Sequence, residues 1–113
     1  MNATQLAFFD SMPFMVVIRN RNGEYVYANN AVVELAGQEV VGHTDDDMPW
    51  SQHKKDFSEQ DAHVFNSGES KFIFEYTVHD RFTGESVRLH YCKWLDEFEG
   101  EECVFALAMP ILD

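Results

Sequence analysis

The sequence predicts an α+β domain built on a five-stranded antiparallel sheet, with short helices and one longer helix inserted between the second and third strands. Three observations predict this fold class. Apolar residues recur at helical spacing in residues 3–12 and 54–66, and they alternate in residues 72–78 and 87–94. Turn residues separate the expected strands at positions 22–23, 83–84 and 99–100. With 113 residues and 45% hydrophobic content, the chain has room for one domain with one packed core.

The first part of the chain predicts a helix, a β-hairpin and a second, short helix. Residues 3–12 predict a helix that Pro13 ends. Its apolar stripe is formed by Leu6, Phe8, Phe9 and Met12. The β-branched run of residues 14–19 predicts the first strand, and residues 24–28 predict its partner. Asn22-Gly23 predicts a tight turn between them, because both residue types tolerate positive φ. Asn30 is expected to cap a helix over residues 31–36, with Gly37 just past its end.

The middle of the chain predicts a capped turn followed by the longer helix. Thr44 lies three residues before Asp47, which is the capping-box arrangement with Asp in place of Glu. A one-turn helix is expected there, and Pro49 would end it. Residues 54–66 predict a helix that stops at Gly68 and carries an apolar stripe of Phe57, Val64 and Phe65.

The last part of the chain predicts three strands joined by hairpins. Residues 72–78 place one set of side chains on a common face, namely Phe72, Phe74, Tyr76 and Val78. Residues 87–94 alternate in the same way, and residues 103–109 predict a buried closing strand. Alternation by itself leaves open which face of each strand points inward.

The charge balance and the length of the apolar runs narrow the classes of function. Twenty acidic side chains against eight basic ones give a formal net charge of −12. Such a surface repels phosphate backbones and anionic lipid, so direct nucleic-acid binding by this segment is not expected. The apolar run of residues 12–18 is far shorter than the ~20 residues of a membrane span. We therefore expect a cytoplasmic location without membrane insertion.

Residues 43–47 and the two cysteines are the candidates for metal or redox chemistry. The carboxylates of residues 45–47 are oxygen ligands of the kind that Mg²⁺ and Ca²⁺ prefer, but consecutive side chains do not all converge on one ion. A structural role is favoured, in which Thr44 and Asp47 cap the following turn, so no metal site is predicted. A disulfide between Cys92 and Cys103 is geometrically possible across neighbouring strands, but free thiols are favoured.

The sequence carries none of the common catalytic motifs. It contains no G-x-S-x-G, no H-E-x-x-H and no glycine-rich phosphate loop. We therefore expect that this domain is not an enzyme. A small α+β enzyme with one buried aspartate as its base stays open as an alternative.

The order of the motifs is more specific than any one of them. The segment FFDSMPFMVVIRNRNGEYVYANNAVVELAG resembles the start of a PAS (Per-Arnt-Sim) domain, and GHTDDDMPW is similar to its G-x-T-D-x-D-x-P-W version. That version is typical of bacterial sensor histidine kinases and of some LuxR-type regulators. The segment FSEQDAHVFNSGES resembles the long PAS helix, and MPILD falls where PAS domains pass into a signalling helix. The resemblance implies a flanking helix over residues 1–12, a PAS domain over residues 13–113, and an output domain outside this chain.

The resemblance also guides the expectations about cofactors. Haem-binding PAS domains take their histidine from near the start of the long helix, where this chain has Phe57 and Ser58. His53 and His63 lie elsewhere along that region, so haem is not expected. Flavin-binding relatives use a cysteine in the helical segment, and residues 37–68 contain none. No cofactor is therefore predicted, although an unknown small ligand is possible.

The resemblance implies two candidate sites and a function. A ligand pocket between the sheet and the long helix is expected to involve Phe57, Phe65, Phe72, Phe74, Tyr76, Arg88, Tyr91, Trp94 and Phe105. A filled core without a pocket is the competing interpretation. Homodimerisation is expected through the stripe of the flanking helix, Leu6, Phe8, Phe9 and Met12. The function implied is that of a sensory and dimerisation domain of a bacterial signalling protein, with a histidine kinase as the first candidate output. A ligand-free dimerisation module of a LuxR-type regulator is the alternative.

Overall fold

The structure is a computed structural model, and it describes residues 3–79 and 86–111, with only the backbone described at residues 75–79 and 87. The three α-helices are α1 (Ala3–Ser11), α2 (Asn30–Ala36) and α3 (Lys54–Ser67). Single turns of 3₁₀ helix, Asp45–Asp47 and Ser51–His53, lie between α2 and α3. The five strands are β1 (Met15–Arg19), β2 (Tyr25–Ala28), β3 (Lys71–His79), β4 (Ser86–Phe98) and β5 (Glu101–Pro110).

All five strands form one antiparallel sheet in the order β2-β1-β5-β4-β3. The last strand therefore lies in the middle, between the first and the fourth. The predicted α+β class, the five antiparallel strands and the helices between β2 and β3 are confirmed. The predicted turn at residues 83–84 lies outside the described residues.

The two hairpin turns that the structure describes differ in their geometry. Glu99 and Gly100 both have positive φ, at 52° and 83°, and they join the paired residues Phe98 and Glu101 in a two-residue loop. This is the turn that matches the right-handed twist of the flanking strands. At the other hairpin the predicted turn is present, but of Asn22 and Gly23 only Gly23 has positive φ. The side chain of Asn20 organises this longer turn by accepting hydrogen bonds from the N–H groups of residues 22 and 24.

Both faces of the sheet are covered near its centre. On one face, α2, α3 and the turn at Trp50 pack over a core of Tyr25, Val32, Ala36, Val40, Met48, Trp50, Phe57, Leu89 and Ala108. On the other face, the side chains of α1 rest on a second cluster of Ile18, Phe98, Cys103 and Phe105. Apolar side chains therefore occur at both parities of the central strands, which is why alternation did not reveal the inward face.

The caps around α2 differ from the sequence-based expectation. Asn29, not Asn30, precedes α2, and its Oδ1 accepts a hydrogen bond from the N–H of Val32. Asn30 is the first residue of the helix and is exposed. The helix ends as predicted at Gly37, whose φ of 68° is the left-handed conformation that glycine adopts without strain.

The three consecutive aspartates send their carboxylates to three different partners. Asp45 is buried, Asp46 pairs with Lys54 at 2.9 Å, and Asp47 contacts Nδ1 of His43 at 3.0 Å. Thr44 accepts a hydrogen bond from the N–H of Asp46 at 3.4 Å, so its contact is one residue earlier than a capping box requires. The Asp47 carboxylate accordingly does not make the reciprocal capping contact that we expected.

Both cysteines are free thiols, with Cys103 buried and Cys92 half-buried. Among the described residues, no helix is both long enough and apolar enough to cross a membrane.

Candidate functional site

A small cavity lies between the inner face of the sheet and the layer formed by α2 and α3. Two alanines of the central strand β5, Ala106 and Ala108, face it, and their short side chains leave space that larger residues would fill. The space open to the centres of water molecules is about 50 Å³. This is room for about four waters, or for one molecule of a few non-hydrogen atoms. The wall is formed by Met15, Val17, Arg19, Tyr25, Val32, Leu35, Trp50, Phe57, Leu89, Tyr91, Lys93, Ala106 and Ala108.

A buried network of four charged side chains forms the polar end of this cavity. Arg19 binds Asp61 in a bidentate manner, with 2.9 Å from Nε to Oδ2 and 2.9 Å from Nη2 to Oδ1. Its remaining terminal nitrogen, Nη1, donates to Asp45. Lys93 donates from Nζ to Oδ1 of Asp61 at 2.9 Å. Two cations thus face two carboxylates, and the network is neutral overall. This is expected because a net charge buried away from water has a large desolvation cost.

Tyr25 and Trp50 complete the environment of Asp45. The hydroxyl of Tyr25 donates to Oδ1 of Asp45, and Nε1 of Trp50 donates to the same oxygen at 2.9 Å. Nε1 of Trp50 also lies 3.0 Å from the Tyr25 oxygen. The buried N–H and O–H groups of these two aromatic residues therefore have acceptors. Asp45 thereby joins the 3₁₀ turn to β1 and β2.

Burial and charge shift the ionisation of three members of this site. Burial lowers the pKa of Lys93 to about 8, the positive charge of Arg19 acts in the same direction, and Asp61 opposes both. Burial by itself would also lower the pKa of Arg19, but the neighbouring Asp61, Tyr25 and Asp45 outweigh it and leave that pKa raised. Burial raises the pKa of Tyr25, and Asp45 adds to the increase. Tyr25 is therefore a neutral hydrogen-bond donor across the physiological range.

Aromatic rings surround the cationic groups. The centre of the Phe57 ring lies 5.0 Å from Nζ of Lys93, 5.6 Å from the guanidinium carbon of Arg19 and 5.9 Å from the ring centre of Tyr91. These distances are within the range in which a ring face attracts a cation. The cavity thus combines an apolar, partly aromatic wall with one charged end, which is the composition expected of a small-molecule site.

The structure separates the residues that the sequence grouped as a ligand pocket. Phe57 and Tyr91 line the cavity. Phe65 lies in a different groove, where its ring centre is 4.5 Å from the guanidinium carbon of Arg21. Trp94 and Phe105 pack against each other with tilted rings on the opposite face of the sheet.

The remaining members of that group do not reach the cavity wall. Phe72 and Phe74 are 61% and 70% exposed. They point away because β3 pairs Phe72 with Cys92 and Ile73 with Tyr91, which places Ile73 on the cavity side. Arg88 is half-buried and is not part of the wall. The side chain of Tyr76 lies outside the described residues.

The polar end of the cavity was missed by the sequence reasoning, although a signal existed. Asp61 falls between Phe57 and Val64 on the apolar stripe of α3, and Lys93 shares its parity with Leu89 and Tyr91 on β4. A charged residue in a core-facing position needs a buried partner of opposite charge. Two such positions of opposite sign therefore predict a buried ion pair from the sequence pattern alone.

The predicted dimerisation stripe of α1 is divided in a similar way. Leu6 and Phe9 pack against the cluster of Ile18 and Phe105 on their own sheet. Met12 is half-buried, and Phe8 is 65% exposed. Of the four residues, Phe8 has the largest side chain left available to a partner.

The two histidines considered as haem ligands are not placed around the cavity. His53 lies against the outer edge of Phe57, with 6.0 Å between ring centres, and His63 is exposed on α3. Neither contributes to the cavity wall.

Comparison with known families decides the identity of this fold. A family model described as the PAS fold matches residues 9–109, which is nearly the whole chain. The chain belongs to the PAS family. The PAS domain described here therefore has the sensory fold that its motifs predicted, and the cavity lies between its sheet and its helices. No curated protein sequence matches this PAS domain.

Solved structures show the same fold at low sequence identity. The Vibrio cholerae VqmA dimer, described among LuxR-type receptors, superposes with a TM-score of 0.81 at 22% identity, covering 100% of this chain and 52% of that one. VqmA bound to DPO gives 0.79 at 22% identity, covering 97% of this chain and 58% of that chain. The PAS domain of an HTR-like protein from Haloarcula marismortui gives 0.75 at 19% identity, with coverage of 96% and 90%. This PAS domain thus spans about half of the length of the VqmA chains.

Proposed function

We propose that this PAS domain is the ligand-sensing module of a bacterial signalling protein and that its ligand occupies the cavity beside Lys93. The observation that carries the proposal is the state of the Lys93 side chain. It is 1% exposed and lines the cavity, yet its described hydrogen bond to Asp61 uses only one of its three N–H groups. A buried ammonium gains free energy when further acceptors reach it. A ligand acceptor in the cavity would supply one.

The surroundings of Lys93 define the chemistry of such a ligand. The four buried charges already balance, so a ligand with its own net charge would have no buried counter-charge. The apolar wall and the small volume favour a compact, mainly apolar molecule. We therefore propose a small neutral molecule with one carbonyl, hydroxyl or ring-nitrogen acceptor directed at Lys93.

The proposed signal is a shift in population between two arrangements of the domain. Asp61 belongs to α3, Lys93 to β4 and Arg19 to β1, so their contacts join three elements at one point. A ligand that binds Lys93 weakens or strengthens its hydrogen bond to Asp61. It thereby changes which of the two arrangements of α3, β4 and β1 is more populated. Since β4 pairs with β5 along its length, the difference is proposed to pass through β5 to an output domain beyond residue 113.

Native mass spectrometry of the purified domain tests for a retained small molecule. DPO, which VqmA binds, is a defined probe to add, and thermal unfolding is the second readout. We expect Ala108→Leu, which fills the cavity, to abolish the stabilisation by the probe or by the recovered ligand. Ala7→Leu adds the same side chain at an exposed site of α1 and serves as the matched control. If both variants respond like the wild type, the cavity is not the binding site.

A second proposed role is homodimerisation, and exposed apolar side chains favour it. Phe74 meets His90 edge to face with 5.9 Å between ring centres, and His90 pairs with Met109, so β3, β4 and β5 share an exposed strip. Phe72 and Met109 are exposed on the same strip. Replacing Phe72 and Phe74 by serine is expected to shift a dimer toward monomer in light scattering. Val41→Ser removes an apolar side chain that is 55% exposed and lies outside this strip, and an equal effect of that variant would contradict this role.

Two outputs are proposed for the full-length protein. A histidine kinase is the output implied by the sequence motif, and a LuxR-type regulator is the output suggested by VqmA. The net charge of −12 supports an arrangement in which any DNA contact belongs to another domain. The amino-acid sequence that follows residue 113 in the full-length gene product distinguishes the two outputs.

A further inference from the structure

Lys93 has the surroundings of a reactive amine as well as those of a hydrogen-bond donor. Its Nζ lies at the wall of the cavity, 2.9 Å from a carboxylate oxygen of Asp61 and 5.0 Å from the centre of the Phe57 ring. Neighbouring apolar side chains exclude bulk water from it, and the cavity gives a small molecule access to the nitrogen. Lysines that form covalent bonds with carbonyl compounds share these features of burial and an adjacent charge.

The local electrostatics keep part of this amine unprotonated. Burial and the charge of Arg19 lower the pKa of Lys93 to about 8, whereas a lysine in water has a value near 10.4. At neutral pH the free-amine fraction is then on the order of a hundredfold larger than for lysine in water. The nucleophilic form is therefore present under physiological conditions.

We propose that Lys93 is a covalent capture site, which forms a reversible imine with a small aliphatic aldehyde or ketone that enters the cavity. This proposal rests on the cavity being the ligand site of the domain. It adds a carbonyl group as the reactive feature of the ligand. The cavity volume of about 50 Å³ limits the carbonyl compound to a few non-hydrogen atoms.

The bond changes balance without an oxidant or a reductant. The ammonium of Lys93 gives up one proton, and its lone pair then forms a C–N bond to the carbonyl carbon as the C=O π bond breaks. A second proton moves from the same nitrogen to the former carbonyl oxygen. The resulting carbinolamine loses that oxygen as water, and a protonated imine remains. Asp61 Oδ1, at 2.9 Å from Nζ, is in place to accept the first proton and to return it to the leaving hydroxyl.

The product keeps the charge balance of the site. A protonated imine retains the positive charge of Lys93 and one N–H group. One N–H is sufficient for the hydrogen bond that Lys93 donates to Asp61. A carbamate or an amide at this nitrogen would remove the positive charge and leave Asp45 and Asp61 facing Arg19 alone. That imbalance between buried charges is unfavourable, so carbonyl compounds are preferred over CO₂ or acyl donors.

The proposal is tested by trapping the imine with sodium cyanoborohydride in the presence of propanal, followed by peptide mapping. The full chain is used under native conditions. We expect Lys93 to gain a propyl group at least tenfold faster than the exposed Lys55, with a rate that rises through pH 8. Peptide mapping separates this product from labelling of the N-terminal amine, which also has a pKa near 8.

Two variants assign the reaction to the cavity. Ala108→Leu is expected to suppress labelling of Lys93 and to leave labelling of Lys55 unchanged, and this arm does not depend on the stability of a variant at Lys93 itself. Asp61→Asn is expected to slow the reaction at pH 10, where Lys93 is largely unprotonated with or without Asp61, because it removes the group that passes the proton to the leaving hydroxyl. Lys93 that labels no faster than Lys55, or only in denaturant, would overturn the proposal. A ligand retained in native mass spectrometry without any imine would refute covalent capture alone, whereas the absence of both would also refute the proposed sensing function.

Discussion

Replacing Asn29 by alanine is expected to destabilise the domain far more than replacing its neighbour Asn30. The Asn29 side chain is fully buried and makes four hydrogen bonds. Its Oδ1 accepts from the N–H of Val16 at 3.1 Å and of Val32 at 3.3 Å. Its Nδ2 donates to the carbonyl oxygens of Phe9 at 2.9 Å and of Phe14 at 2.7 Å. One amide thus joins the end of α1, the start of β1 and the start of α2.

The magnitude follows from what each partner loses. Val32 also bonds the backbone oxygen of Asn29, so its loss is that of an N-cap, about 1 kcal/mol. The N–H of Val16 is left buried without its acceptor, which costs about 1–3 kcal/mol. The loss of the two bonds to Phe9 and Phe14 adds about 1 kcal/mol more. The free energy of unfolding should therefore fall by about 3–5 kcal/mol, with a decrease in Tm on the order of 15 °C.

Urea unfolding followed by tryptophan fluorescence measures this difference. Asn30 is exposed and makes one described hydrogen bond, to the Asp10 carbonyl at 3.3 Å, so Asn30→Ala should change stability by less than about 0.5 kcal/mol. Asn29→Asp is the sharper control. Aspartate caps helices as well as asparagine does, but it has no N–H to donate to Phe9 and Phe14. Equal losses for the two alanine variants, or a wild-type stability for Asn29→Asp, would refute the reasoning.

Three further predictions concern the buried charge network. Lys93→Met removes a base whose folded pKa of about 8 lies below its unfolded value near 10.5. Between these two pH values the unfolded chain still binds the proton that the folded protein has lost, so stability rises with pH. In urea titrations the wild type should therefore gain stability relative to Lys93→Met as the pH rises from 8 to 10, by about 3 kcal/mol at most. Tyr25→Phe should lower the free energy of unfolding by about 1–2 kcal/mol in the same assay. It should also shift the fluorescence emission of Trp50, because Nε1 of Trp50 loses one of its two hydrogen-bond partners, and an unchanged spectrum would contradict this geometry. Arg19→Met leaves two buried carboxylates with Lys93 as their only cation, so the free energy of unfolding should fall by about 3–5 kcal/mol. Arg21→Met is the control: it breaks only the exposed ion pair with Glu102 and should leave the stability nearly unchanged.

Local signals were sufficient for the order of elements and for most of their ends. The helix stops at Gly37 and Gly68 and the turn at Glu99-Gly100 are properties of a few neighbouring residues, and the structure contains each of them. The cap of α2 was misassigned by one residue. Asn29 and Asn30 are equally good caps by residue type, and only the tertiary contacts of Asn29 with β1 and α1 distinguish them.

The candidate site was less accessible from the sequence, because its members are distant along the chain. Arg19 lies 26 residues from Asp45 and 42 from Asp61, and Lys93 lies 32 from Asp61. Apart from Phe57 and Phe65 on α3, the aromatic residues that were expected to form the pocket were chosen from the strands. Of these, Phe72 and Phe74 turned out to lie on the outer face. An alternating pattern defines two faces of a strand but does not say which one a helix will cover.

By itself the sequence determined the fold class, the family and the type of each element, because these depend on periodicity, turn residues and the order of short motifs. Only the tertiary structure decided which strands are neighbours and which side chains meet. Placing β5 between β1 and β4 brings Arg19 and Lys93 to the same face as the two small alanines, and α3 then sets Asp61 between the two cations. The cavity and its charged end are consequences of that arrangement, since burial makes each charge require the others.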